Sequence, residues 1–204
     1  MLSFLPGTVR GVLAVILSLA NTLLWIIPLL PAALVKFLVR LESVRKICDR
    51  VLNFICTTWA NWNMALLDLL LQIEWRIEKP DDLTMDKWYL VISNHQSWAD
   101  ILVLQYALNG VIPYFRFFLK KELRWFPILN IAWWALDYPY MTRYSRQYLE
   151  AHPEKKGKDL ETTRESCKRF RNTPVSVMNF VEGTRFRPAK KKAQNSPFQH
   201  LLLP

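Results

Sequence analysis

From Gly11 to Val35 the chain runs for 25 residues without a charge, GVLAVILSLANTLLWIIPLLPAALV. About 20 such residues suffice for a helix to cross the hydrocarbon core of a bilayer. The run is too long for the apolar region of a signal peptide. Basic residues follow it rather than a small-residue cleavage site. Pro28 and Pro31 fall inside it, and two prolines three apart are expected to kink or break a helix. Two dispositions stay open: one membrane-spanning helix, or a bent, re-entrant hairpin lying in one leaflet. Lys36, Arg40, Arg45, Lys46 and Arg50 follow the run and only Arg10 precedes it. By the positive-inside rule the rest of the chain is expected on the cytoplasmic side.

A second apolar stretch, residues 51–73, carries Asn53, Asn61, Asn63 and Asp68. Those polar groups argue against a second span. They fit an amphipathic helix lying on the membrane or against the first helix. Composition sharpens the reading: 51% of the 204 residues are hydrophobic, yet the net charge is +10. A chain both this apolar and this basic suits an anionic membrane surface or an anionic substrate. The nine tryptophans point the same way, because indole favours the membrane interface. Nucleic acid is disfavoured, since the aromatics sit in apolar runs rather than among the basic residues. Cys48, Cys56 and Cys167 are odd in number and form no CxxC. They are expected to be free thiols in a reducing compartment, with no disulfide framework or zinc site.

After EKPDDLTMDK the character changes. WYLVIS (88–93), YFRFFL (114–119) and VSVMNF (175–180) read as strands, and DYPYMTR (137–143) as a strand end. WYLVIS is expected to be buried. SWADILVLQYAL (97–108), RWFPILNIAWWAL (124–136) and GKDLETTRESCKRFRN (157–172) read as helices. Alternating strands and helices imply an α/β fold with a mostly parallel sheet flanked by helices, preceded by an N-terminal membrane-embedded helical segment. The boundary falls near residue 80: residues 1–80 form the membrane-associated helical region and 81–204 the α/β domain.

In open α/β sheets, sites gather beyond the carboxyl ends of the strands. One such end offers Asn94, His95 and Asp100 in SNHQSWAD. On a continuous helix, a spacing of five would separate His95 and Asp100 by about 140°. They meet only if His95 precedes the helix and Asp100 lies in its first turn. Ser97 as N-cap with Asp100 three residues on, a capping-box spacing, predicts that arrangement. The carboxylate then holds one imidazole nitrogen while the other takes a proton. No serine or cysteine nucleophile stands beside the pair, so the nucleophile is the substrate's own hydroxyl. Against this, an aspartate in a first turn is most often just a cap. Another end, FVEGTR, offers Glu182, Gly183, Thr184 and Arg185. Gly183 permits a tight turn, and arginine suits bidentate phosphate recognition. Glu182 can hold Arg185 or accept from a polar substrate. Arg143 is a second candidate phosphate contact.

NHQSWAD, FPILNIAWWALDYPYMTR and FVEGTR, in this order, resemble the glycerolipid acyltransferase family typified by lysophosphatidate acyltransferase. The stretch from YPYMTR to DLETT is similar to its bacterial inner-membrane branch, close to lysocardiolipin acyltransferase-like members. The resemblance implies a transfer from acyl-CoA or acyl carrier protein to a lysophospholipid hydroxyl, with lysophosphatidate the first choice of acceptor. Lysophosphatidylglycerol and lysocardiolipin are the alternatives. It makes His95 the general base and Asp100 its orienting partner, and gives Asn94, Arg143, Glu182, Gly183, Thr184 and Arg185 to substrate binding. It implies neither a metal nor a bound cofactor, and a bacterial inner membrane with the catalytic domain on the cytoplasmic side. Asn130 stands where many members have glycine. The family pattern is expected to continue past Pro204. A non-catalytic, anionic-lipid-binding membrane protein is the competing class, supported by Arg185, Arg187, Lys190, Lys191 and Lys192.

Overall fold

The structure, a computed structural model, describes residues 4–71, 73–97, 99–141, 146–155, 157–168, 170–171 and 173–194. Helix α1 (Gly7–Leu38) and helix α2 (Glu42–Leu70) lead the chain. The prolines do not break α1, which runs unbroken for 32 residues. The reason lies in which face they occupy. Pro28 and Pro31 are exposed, whereas Ala14, Asn21, Leu29, Ala33 and Lys36 form one buried stripe at helical spacing. The backbone bonds lost to the prolines therefore lie away from the packed face.

That stripe packs on α2. Asn21 donates to Asn63 Oδ1 at 3.1 Å, and Lys36 reaches Asp49 at 2.7 Å, so the two helices are antiparallel. Ala33 and Ala60, 2% and 1% exposed, bring them close. The second helix thus lies against the first, one of its two expected positions. It starts earlier than the apolar stretch suggests, because the charged turns from Glu42 to Arg50 are helical as well.

The α/β part follows as β1 (Tyr89–Ser93), α3 (Ala99–Leu108), β2 (Phe115–Phe117), β3 (Leu119–Lys120), a 3₁₀ turn (Lys121–Trp125), α4 (Pro127–Ala135), β4 (Tyr140–Met141), α5 (Arg146–Ala151), α6 (Lys158–Lys168), β5 (Ser176–Phe180) and α7 (Pro188–Gln194). A three-stranded parallel sheet has the order β1–β5–β2, and β3 and β4 form a separate parallel pair. This is the expected parallel α/β class, with the helical hairpin in front. Two expectations need correction. YFRFFL is two short strands in two sheets rather than one. WYLVIS is buried on one face only: β1, a sheet edge, packs Tyr89 and Val91 on the sheet's core, whereas Leu90 and Ile92 on its other face are 65% and 58% exposed. An apolar run alone does not say whether a strand is central or at the rim.

One core cluster joins α1 and α2 to the α/β part: Leu29, Ala33, Leu52, Ile55, Cys56 and Ala60 pack with Tyr114, Ala135, Leu136 and Tyr138. A second lies on the sheet around Ile112, Phe115 and Met178, and Phe117 packs against both. All three cysteines are free thiols.

Candidate active site

Register places the site. Ser93, the end of β1, pairs with Phe180, the end of β5, so both strands stop at the same level. His95 and Glu182 each lie two residues beyond, and the two loops meet. Buried Glu182 accepts from the His95 backbone N–H at 3.3 Å, and the Phe186 N–H donates to the His95 carbonyl at 2.6 Å. Gly183 takes φ +62°, the left-handed turn that glycine permits at no steric cost. Its N–H closes the turn on the Phe180 carbonyl at 2.9 Å.

The helix start supplies the rest. Asp100 Oδ2 accepts from the Ser97 N–H at 2.9 Å, the carboxylate half of the expected capping box, while Ser97 Oγ accepts from the N–H two residues on, that of Ala99, at 2.9 Å. The same Oδ2 accepts from the Gln96 N–H at 2.6 Å and sits 2.8 Å from His95 Nδ1. The cap and the dyad are one arrangement rather than alternatives. Burial opposes ionisation of Asp100, but the hydrogen bonds from Ser97, His95 and Gln96 outweigh it and hold its carboxyl below the usual range. An ionised Asp100 fixes the tautomer with the proton on Nδ1, which leaves Nε2 as a base.

Of the other expected residues, Asn94 is exposed at the end of β1, where its carbonyl accepts from Ser93 Oγ at 2.8 Å. Thr184 accepts from Lys190 Nζ at 2.8 Å. Arg185 is half-buried in the loop between Glu182 and Phe186. Arg143 lies outside the described residues. Sequence reasoning missed Phe180, whose ring stacks on the His95 imidazole at 4.1 Å and 20°. The available signal was its place directly before the VEGTR turn.

A model of the acyltransferase family matches residues 74–200, more than half of the chain. The chain belongs to the acyltransferase family. The matched acyltransferase region contains His95, Asp100 and the whole VEGTR turn. The 1-acyl-sn-glycerol-3-phosphate acyltransferase 3 of Arabidopsis thaliana is 31% identical over 108 residues, 51% of this chain and 26% of that protein. An uncharacterized acyltransferase of Schizosaccharomyces pombe is 26% identical over 121 residues, 59% of this chain and 39% of that protein. The chain therefore spans about a quarter to two fifths of these curated relatives. The crystal structure of PlsC, the 1-acyl-sn-glycerophosphate (LPA) acyltransferase of Thermotoga maritima, superposes with a TM-score of 0.50. It is 20% identical, and the match covers 89% of this acyltransferase and 65% of PlsC, a likeness of fold.

Proposed function

We propose that the chain is a membrane-bound lysophospholipid acyltransferase, with lysophosphatidate as acceptor and acyl-CoA or acyl carrier protein as donor. The observation that carries this is the 2.8 Å contact between His95 Nδ1 and Asp100 Oδ2 just past the sheet's carboxyl edge. Nε2 takes the proton from the acceptor hydroxyl. The oxygen attacks the thioester carbonyl, and the resulting imidazolium, paired with Asp100, returns its proton to the departing thiolate. An ester and a free thiol result, with no protein nucleophile. Arg185 and Arg143 are assigned to the acceptor phosphate, as bidentate donors. Glu182 braces the backbone of His95.

The membrane disposition is part of the same proposal. Asn53 of α2 accepts from Arg116, Asn109 donates to the Thr57 carbonyl and to Asn61, and Tyr106 donates to Asp68. The α/β part is therefore fastened along most of α2, which in turn lies along α1. A perpendicular span by α1 would carry the polar surface of the α/β part beside these contacts to hydrocarbon depth, where each group not paired within the protein costs on the order of several kcal/mol. The hairpin instead lies in one leaflet. Its outer apolar face, with Ile16, Leu23, Leu24, Ile27 and Leu34 more than half exposed, is then turned to lipid.

The test is thiol release from oleoyl-CoA with lysophosphatidate, lysophosphatidylglycerol or lysocardiolipin as acceptor. Turnover with lysophosphatidate that falls by about 10²-fold or more in His95→Ala supports the reading. Equal behaviour of wild type and His95→Ala removes His95 as base. Silence of both with every acceptor and donor, alongside retained binding to anionic vesicles, favours the lipid-binding module.

A further inference from the structure

His95 is fixed by hydrogen bonds at Nδ1, at its backbone N–H and at its carbonyl. None of them controls the face of the ring. That face is covered by Phe180, the last residue of β5, with centroids 4.1 Å apart and planes 20° from parallel. Phe180 is itself packed on the sheet's core. Phe117 of β2 lies behind it at 6.4 Å and 21°, and Tyr138 lies beyond Phe117 at 6.3 Å and 26°. Phe117 in turn is packed between the two core clusters. A near-parallel row of rings thus runs from the core to the base.

A phenyl face is the negative pole of the ring's quadrupole. It attracts an imidazolium more strongly than a neutral imidazole, because the cation adds electrostatic attraction to dispersion. In the transfer step the imidazole becomes an imidazolium as it takes the acceptor's proton. A contact that strengthens at that step raises kcat without tightening substrate binding.

We propose that Phe180 is a positioning residue for acyl transfer, its ring face holding the His95 imidazole in line with Asp100 and stabilising the imidazolium formed when Nε2 takes the hydroxyl proton. This rests on His95 being the general base. Among the described residues, the charged groups bonded to His95 are Asp100 from α3, at Nδ1, and Glu182 from the loop after β5, at the backbone N–H. The same loop carries Arg185. Arg116 of β2 is engaged elsewhere, with Asn53 and with the faces of Tyr114 and Tyr138.

The experiment compares Phe180→Leu and Phe180→Tyr with wild type in detergent micelles, reading kcat and KM across pH and the His95 ring titration by NMR, with His95→Ala to assign the signal. Leucine removes the face and keeps an apolar side chain, whereas tyrosine keeps the face. For Phe180→Leu, kcat falls about 3- to 10-fold with KM nearly unchanged. Because wild-type Phe180 favours the cation, its loss moves the His95 titration and the acid limb of the rate profile to lower pH, by about half a unit to one unit. Phe180→Tyr restores both. Should Phe180→Leu fail to fold, Phe180→Met carries the same comparison. Unchanged kcat overturns the proposal. So does a fall in kcat with an unmoved titration, since that is a packing defect. Full turnover in His95→Ala overturns instead the reading of His95 as base, whatever the Phe180 variants do.

Discussion

Asp100 carries two duties on one oxygen. Oδ2 accepts from His95 Nδ1, Gln96 N–H and Ser97 N–H, so one carboxylate both starts α3 and orients the His95 imidazole. Asp100→Asn keeps the shape but cannot satisfy three donors as an anion does. Turnover in Asp100→Asn is expected to fall on the order of 10²–10⁴-fold, measured by thiol release at fixed pH. Asp100→Ala also removes the cap and costs about 1–2 kcal/mol of stability, measured by chemical denaturation in detergent. The sign with pH follows from a carboxyl held below its ordinary value of 3.8. Its stabilising contribution is fully present above that ordinary value and is lost as pH falls through the lower, folded one. The stability gap between wild type and Asp100→Asn should therefore close on acidification below about pH 4 and stay constant above about pH 5. The pairing of Ser97 with Asp100 was legible because a capping box is a local, three-residue relation. Phe180 was not, because stacking on His95 depends on the β1–β5 register, and no local spacing encodes which strands pair.

At the scale of elements, Lys36 is the clearest case of a residue whose role changes on folding. In the sequence it reads as the first of the basic residues flanking an apolar helix. In the fold its side chain is 1% exposed, bonded to Asp49 of α2 at 2.7 Å and to Asp137 at 2.6 Å. It also donates to the Ala135 carbonyl at 2.6 Å, at the end of α4. Asp137 takes φ +55°, in the left-handed region that an aspartate tolerates better than a branched residue. One ammonium thus ties α1, α2 and the turn from α4 to β4 together. Lys36→Met removes the buried ammonium that the two carboxylates share, but each carboxylate is about a quarter exposed and can hydrate in part, at 26% and 21%. The expected loss is about 2–3 kcal/mol rather than the full penalty of a sealed ion pair. Adding Asp49→Asn and Asp137→Asn should recover part of it, since no charge is then stranded; thermal unfolding of the single and triple variants checks this. Lengthening a small residue at the α1–α2 contact acts differently. Ala60→Leu overpacks a site that is 1% exposed and should cost about 1–3 kcal/mol, read in the same assay.

For the whole molecule, the question is which way the hairpin lies. On the proposed single-leaflet disposition, both ends of α1 lie on one side of the bilayer. In sealed vesicles, single cysteines at Gly7 and Arg40, in a background with Cys48, Cys56 and Cys167 replaced by serine or alanine, should both react with a membrane-impermeant thiol reagent from the same side. Labelling from opposite sides would show that α1 spans and would overturn the single-leaflet disposition. The sequence by itself determined the apolar length of α1, the alternation of strands and helices, and the His95–Asp100 relation. Each of these is written in local spacing and in the periods of helix and strand. It did not determine that the prolines of α1 would be harmless, that β1 would be an edge, that Lys36 would be buried, or that Phe180 would cover the His95 ring. Those depend on contacts between segments distant in the chain. Only the tertiary structure, through strand order, helix–helix register and the sharing of one core between hairpin and sheet, decides them.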